Sequence, residues 1–231
     1  MTSLSIIIPA LNEAGNIQAL VAEVRQIAPA ALNPVIIVVN NGSTDATADQ
    51  AHAAGALVVD EPRRGYGYAC AAGVAVALGE ILVFLDGDRS FLPADLPALL
   101  APILAGQADL VLGSRHRGQM EPGAMPPHQR FGNQLVARLM GLLYGLEITD
   151  LGPYRAVRAD LLHSLHMQEM TYGWPTEMIV KAARAGERMV EVPVSYRSRR
   201  AGKSKVSGTV RGSILATWYI LGVTLRYAWG R

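Results

Sequence analysis

Cysteine is nearly missing: Cys70 is the single one in 231 residues. That excludes a disulfide framework and suits a reducing compartment. Cys70 itself, set among alanines, reads as a small packed residue rather than a nucleophile. Charged residues make up only 17% of the chain while half of it is hydrophobic, so the composition of a disordered segment is absent too. A chain of this length buries about 70% of its unfolded surface around one core, and a single domain is expected. Long apolar runs are also lacking. The most apolar segment, Gly212 to Leu225, has fourteen residues and as a helix spans roughly 21 Å, against ~30 Å of bilayer hydrocarbon. Met1 to Ser5 carry no positive region, apolar run or small-residue cleavage site, so no export signal is expected.

Acidic residues stop at Glu191. Beyond it lie Arg197, Arg199, Arg200, Lys203, Lys205, Arg211, Arg226 and Arg231, eight of the 21 basic residues, which leaves 13 basic against 19 acidic side chains before them. An acidic body with a basic tail points to an anionic partner for the tail. The basic stretch has no interleaved aromatics, so nucleic acid is not expected as that partner.

What the chain has in quantity is alternation. Ser5 to Ile8, Val35 to Val39, Ala56 to Val59, Ile81 to Leu85 and Asp109 to Leu112 are short, largely β-branched runs that predict strands buried on both faces, as in a covered parallel sheet. Asn16 to Ile27, Thr44 to Ala54, Tyr66 to Leu78 and Pro93 to Leu104 predict the intervening helices, with Ser43 or Thr44 as an N-cap. Strand and helix thus alternate at βαβ spacing. Further on, Gly118 to Gln129 predicts a loop and Phe131 to Tyr144 a helix with Phe131, Leu135, Leu139 and Leu142 on its packed side. Short strands follow near Tyr154 to Val157 and Met189 to Val194, and helices near Asp160 to Leu165 and Thr176 to Ala185. Arg197 to Gly208, rich in Gly, Ser and basic residues, predicts a loop.

Two carboxylates at the end of a buried strand are not there for packing. Asp86-Gly87-Asp88 closes the apolar run Ile81 to Leu85, and strand carboxyl ends form the ligand crevice of an α/β sheet. Such a turn offers hard oxygen ligands to Mg²⁺ or Mn²⁺ that a diphosphate can share. Other motifs fail on inspection. The first strand runs into Pro9-Ala10-Leu11-Asn12-Glu13 instead of the glycines of a dinucleotide fold, and Gly65-Tyr66-Gly67-Tyr68-Ala69-Cys70 ends in Cys where the fingerprint has a third glycine. Gly202-Lys203-Ser204 lacks the earlier glycine and the feeding strand of a P-loop. His163 and His166 have no third ligand nearby in sequence.

Ile7-Ile8-Pro9-Ala10-Leu11-Asn12-Glu13, Val39-Asn40-Asn41-Gly42-Ser43-Thr44-Asp45, Phe84-Leu85-Asp86-Gly87-Asp88 and Gly113-Ser114-Arg115, in that order, resemble the family-two glycosyltransferases of GT-A fold. Thr149-Asp150-Leu151-Gly152-Pro153-Tyr154-Arg155 and Gly202-Lys203-Ser204-Lys205 are similar to the branch of dolichyl-phosphate mannose synthase and related polyprenyl-phosphate sugar synthases. The chain departs from that pattern at Asn40-Asn41, where the family usually has two aspartates, and at Pro153.

The resemblance implies a single α/β GT-A-like, Rossmann-like domain over residues 1–196, with a mixed, mainly parallel sheet flanked by helices. Its nucleotide half would end near 115 and its acceptor half fill 116–196, followed by a basic loop and apolar or amphipathic helix over 197–231. Pro9, Asn12, Glu13, Asn41 and Gly65 would line the nucleotide pocket, Asp86 would sit against ribose, and Asp88, with Asp86, would hold Mg²⁺ or Mn²⁺. Arg115, Arg130 and Arg155 would serve phosphates or fix the acceptor side. Lys203, Ser204 and Lys205 would close over the nucleotide or the acceptor phosphate.

Breaking an anomeric carbon to phosphate bond builds negative charge on the leaving diphosphate, which a metal and cations stabilise. A phosphate acceptor is already an anionic nucleophile. A hydroxyl acceptor needs a general base, for which Asp150 and Glu177 are the candidates, each equally a structural ion-pair member. The expected acceptor is a polyprenyl phosphate at the cytoplasmic membrane face, with Trp218, Tyr219, Tyr227 and Trp229 at interfacial depth. The rival for the tail is a helix docked on the protein or on a second copy, and oligomeric state is left open. Against the enzyme as a whole stands a non-catalytic, membrane-peripheral binding module.

Overall fold

Branched side chains fill both surfaces of a covered sheet, and the runs that carry them form its strands. The computed structural model describes residues 2–202 and 210–228. β1 (Leu4–Ala10) passes through α1 (Ile17–Ile27) to β2 (Val35–Asn40), and α2 (Thr47–Ala53) leads to β3 (Leu57–Asp60). α3 (Tyr66–Val76), β4 (Ile81–Phe84), α4 (Leu96–Leu104) and β5 (Leu110–Ser114) complete the first half. Then come α5 (Pro127–Tyr144), β6 (Arg155–Arg158), α6 (Ala159–Ser164), α7 (Trp174–Arg184), β7 (Met189–Pro193) and α8 (Val210–Arg226).

The seven strands form one sheet in the order β3-β2-β1-β4-β6-β5-β7. β1 runs parallel to β2 and β4, β2 to β3, and β5 to β7. β6 alone is reversed, antiparallel to both β4 and β5. The period of two along β1 sends Ile6 and Ile8 to one face, against Leu20 and Val24 of α1 and Leu99 and Leu100 of α4. Ile7 faces the other way, toward Ala69 and Cys70 of α3 and Met178 and Ile179 of α7. Cys70 is fully buried, as its alanine neighbours suggested. The mixed, mainly parallel α/β sheet is the expected one.

The differences lie at ends and on surfaces. α2 begins at Thr47, and Ser43 and Thr44 do not cap it: Asn12 N donates to Ser43 Oγ (3.0 Å) and Thr44 N to Asn12 Oδ1 (2.8 Å). Both residues tie the β1 loop to the β2 loop instead. α5 starts four residues early, at Pro127, because proline is preorganised for a first helical turn. Its expected packed side faces outward, with Phe131 69%, Leu135 53% and Leu142 86% exposed, while Val136, Ala137 and Met140 enter the core. The helix has two apolar stripes, and only packing selects between them.

α8 docks on α5 and α7. Val223 and Thr224 are buried, Tyr144 Oη donates to Thr224 O, and Arg184 Nη1 donates to Tyr227 O (2.9 Å). Trp218 is left 75% exposed. Among the described residues no helix is long and apolar enough to cross a membrane.

Candidate functional site

The parallel strands release their chains at one edge, and there a cleft of about 520 Å³ opens. Of the expected site residues, Pro9, Glu13, Asn41, Gly65, Asp86, Asp88 and Arg115 line it, together with Arg64, Tyr66, Phe91, Pro153, Tyr172, Tyr196, Arg199 and Tyr219.

The acid pair sits at its floor. Tyr66 Oη donates to Asp86 Oδ1 (3.2 Å). Desolvation, and next the charge of Asp88, push the Asp86 carboxyl up to about 7. Asp88 Oδ1 accepts from Ser90 N (2.9 Å) and Ser90 Oγ (2.6 Å), while its Oδ2 accepts from Arg199 Nη2 (2.9 Å). Arg89, the next residue, has φ +58°, a left-handed conformation that turns the chain sharply behind the acids. Glu13 Oε1 accepts from Arg199 Nη1 (2.8 Å), and Glu13 Oε2 from Asn16 Nδ2 (2.8 Å).

Asn41 works as a clamp. Its Nδ2 donates to Glu61 O (3.0 Å) and Arg63 O (2.7 Å), and its Oδ1 accepts from Gly65 N (3.0 Å), which fixes the loop ahead of α3. Asn12 does not line the cleft. It lies exposed at φ +52° and braces Ser43 and Thr44. The glycines here serve packing: a Cβ on Gly67 would stand 2.4 Å from Glu169 O and 2.5 Å from Met170 Cα.

Across the cleft, Arg115 is held by Asp150. Nε donates to Asp150 Oδ2 (2.8 Å) and Nη2 to Oδ1 (2.7 Å), with the backbone N also on Oδ2 (2.7 Å). The guanidinium carbon lies 5.1 Å from the Tyr196 ring centre and 5.8 Å from that of Phe91. Burial alone would raise the Asp150 carboxyl, but the Arg115 charge and these hydrogen bonds hold it below its ordinary value. Glu191 in turn accepts from Thr149 N, Thr149 Oγ1 and Asp150 N.

Besides Asn12, four expected site residues lie off the cleft wall. Asp150, 1% exposed, is committed to Arg115. Glu177, fully buried, accepts from Gln168 N (2.9 Å), Glu169 N (2.7 Å) and Tyr227 Oη (2.6 Å) and pairs with Lys181 (2.9 Å). It thereby joins α7, the end of α8 and the loop that bears Thr171 and Tyr172. Arg155 is 1% exposed and donates to Pro175 O (2.7 Å) and Gly152 O (2.5 Å), so its charge lies beneath the cleft, where desolvation lowers its pKa to about 10. Arg130 is exposed on α5. Lys203, Ser204, Lys205 and Trp229 lie outside the described residues. Tyr219 and Tyr227, expected at interfacial depth, face the cleft and Glu177 respectively.

Sequence reasoning did not single out Tyr66, Tyr196 or Arg199. Tyr66 carried a signal in the glycine-flanked segment that failed as a dinucleotide motif. Arg199 was visible only as one charge among eight.

The profile of glycosyl transferase family 2 matches residues 5–165. A glycosyltransferase of Mycobacterium tuberculosis is 40% identical over 217 residues, 93% of this chain and 94% of that protein. The undecaprenyl-phosphate mannosyltransferase of Micrococcus luteus is 30% identical over 234 residues, 96% of this chain and 94% of that one. Among solved structures, glucosyl-3-phosphoglycerate synthase of M. tuberculosis, in complex with Mn²⁺, UDP-glucose and phosphoglyceric acid, superposes with a TM-score of 0.78 at 25% identity, covering 98% of this chain and 80% of that one. With a family profile matched over most of the chain and relatives 30–40% identical along nearly its whole length, the chain belongs to glycosyl transferase family 2, on the GT-A fold.

Proposed function

We propose that the cleft transfers a sugar from a nucleotide-diphosphate sugar to a polyprenyl phosphate, with inversion, at the cytoplasmic face of a membrane. The observation that carries the reading is the pairing of Asp86 and Asp88 on one side of the cleft with a cation, Arg115, fixed on the other. Two relatives act on lipid phosphates by name, the Micrococcus luteus enzyme and a dolichyl-phosphate hexose transferase of Haloferax volcanii.

The acid pair fits Mg²⁺ or Mn²⁺. Its donors are hard oxygens, its Asp86 carboxyl is held short of charge compensation, and a guanidinium already stands against Asp88 Oδ2. Bound there, the metal would offset the charge that grows on the departing diphosphate. The protein's own groups do the rest. Asp86 and Asp88 orient the donor, Asn41 holds the loop bearing Gly65 against it, and Arg115 draws an acceptor phosphate toward the anomeric carbon for in-line attack. A phosphate oxygen needs no proton removed, which agrees with the commitment of Asp150 and Glu177 to structural partners.

Peripheral membrane contact is supported by Phe131, Leu135 and Leu142 on α5 and Trp218 and Leu225 on α8, all exposed, with Arg130, Arg138 and Arg226 on the same helices. The second reading keeps the donor and uses a soluble acceptor, favoured by the phosphoglyceric acid bound in the solved neighbour. Purified protein, Mn²⁺ and a panel of nucleotide sugars, offered undecaprenyl phosphate in detergent or 3-phosphoglycerate, separate the two. Sugar on the lipid phosphate, read by mass spectrometry, is the expected product; sugar only on the soluble acceptor refutes the lipid reading.

A further inference from the structure

The function above leaves the cleft cation Arg199 without a task. Arg199 bridges Asp88 Oδ2 and Glu13 Oε1, and its side chain is only 18% exposed. Its segment is stitched to both loops that carry those acids. Arg197 N donates to Ser90 O (2.9 Å) and Arg197 Nε to Arg89 O (2.9 Å), while Asn16 Nδ2 donates to Ala201 O (3.2 Å). Ala201 Cβ lies so near Gly15 that a Cβ there would stand 2.9 Å away. The guanidinium is thus delivered to Asp88 by its own backbone, not by chance of a long side chain.

Both oxygens of Asp88 already carry donors, Ser90 on Oδ1 and Arg199 on Oδ2. A divalent cation taking Oδ2 meets a positive charge at contact distance, and the two repel. A nucleoside diphosphate arriving with that cation brings the opposite sign into the same cleft. We propose that Arg199 is an exchangeable counter-ion. In the ligand-free protein it neutralises Asp88 and Glu13; when the metal and diphosphate enter, it releases Asp88 and pairs with the diphosphate, so one side chain both guards the metal site and fastens the donor. The inference rests on the assignment of Asp88 as a metal ligand.

The two halves have opposite signs in an Arg199→Gln variant. Titrated with Mn²⁺ alone and followed by the electron paramagnetic resonance of the free ion, the variant binds the metal about tenfold tighter than the parent, the gain expected from removing one charge-assisted competitor. Titrated calorimetrically with UDP or GDP in saturating Mn²⁺, it binds the nucleotide about tenfold more weakly, because a diphosphate partner is gone. Arg199→Lys, which keeps the charge without the fork, falls between the two on both measurements and serves if the Gln variant does not fold. Unchanged or weaker Mn²⁺ binding overturns the exchange, and unchanged nucleotide binding overturns the transfer to the diphosphate. Asp88→Asn tests the assignment beneath: if it binds Mn²⁺ like the parent, the metal reading itself is lost. If it does not and Arg199→Gln is silent, only the exchange falls.

Discussion

Replacing Asp86 by Asn stabilises the ligand-free protein above neutral pH while disabling the proposed metal site. In the unfolded chain this carboxyl titrates at its ordinary 3.8, and in the fold it is pushed to about 7, first by desolvation and then by Asp88. A folded value above the unfolded one means that the native state prefers the protonated form. The stabilising contribution is therefore complete below 3.8 and is lost as pH rises through about 7. At about 1.4 kcal/mol per pH unit, that interval bounds the loss at about 4 kcal/mol. Water in the open cleft screens the charge and reduces it to about 1–2 kcal/mol. For a chain of this size the gain in melting temperature is then about 2–8 °C. Asparagine keeps the shape and an oxygen for the Tyr66 hydroxyl, now 3.2 Å from Asp86 Oδ1. Differential scanning calorimetry across pH reads the effect: the two proteins melt together near about pH 4 and separate as pH rises through about 7. Mn²⁺ with UDP raises the parent's melting temperature and leaves the variant's unchanged. A variant that melts at or below the parent at about pH 8 refutes the reasoning, because Asp86 would then be fully compensated within the fold.

Asp150→Asn leaves Arg115 without its carboxylate and costs about 3–5 kcal/mol of stability by chemical denaturation. In the folded fraction it raises the KM for the acceptor more than it lowers kcat and leaves the pH profile unchanged, whereas a lost general base would cut kcat and remove a limb of that profile. Trp218→Ser with Leu142→Ser removes exposed apolar surface worth about 1.5–3 kcal/mol per side chain when buried. Flotation with anionic vesicles falls accordingly and thermal stability does not; unchanged flotation refutes membrane contact through this face.

The strands were legible because they are buried on both faces, so hydrophobicity alone marks Ile6 to Ile8 or Ile81 to Phe84 without a period to interpret. The acid pair was legible because carboxylates after such a strand have no packing role. The role of Asp150 was not, since Arg115 stands 35 residues away in sequence; for Glu177 the i,i+4 partner Lys181 lay in view, but Tyr227, which ties it to the end of α8, is 50 residues off. The same holds for α5, whose two apolar stripes look alike until α8 and the sheet take their sides. Gly67 was visible as a glycine but not as a packing requirement, because the backbone it admits, at Glu169 and Met170, is a hundred residues off. Arg199 counted as net charge, and a count of charges carries no direction.

One reversed strand has a consequence for how such an enzyme diversifies. Because β6 starts where its neighbours stop, the crevice receives a segment on its way into the sheet, Asp150 to Tyr154, as well as those on their way out. Of that inbound segment Pro153 borders the cleft, so an exchange there reshapes the cleft wall while Asp150, buried against Arg115, and the hydrogen-bonded ladder stay as they are.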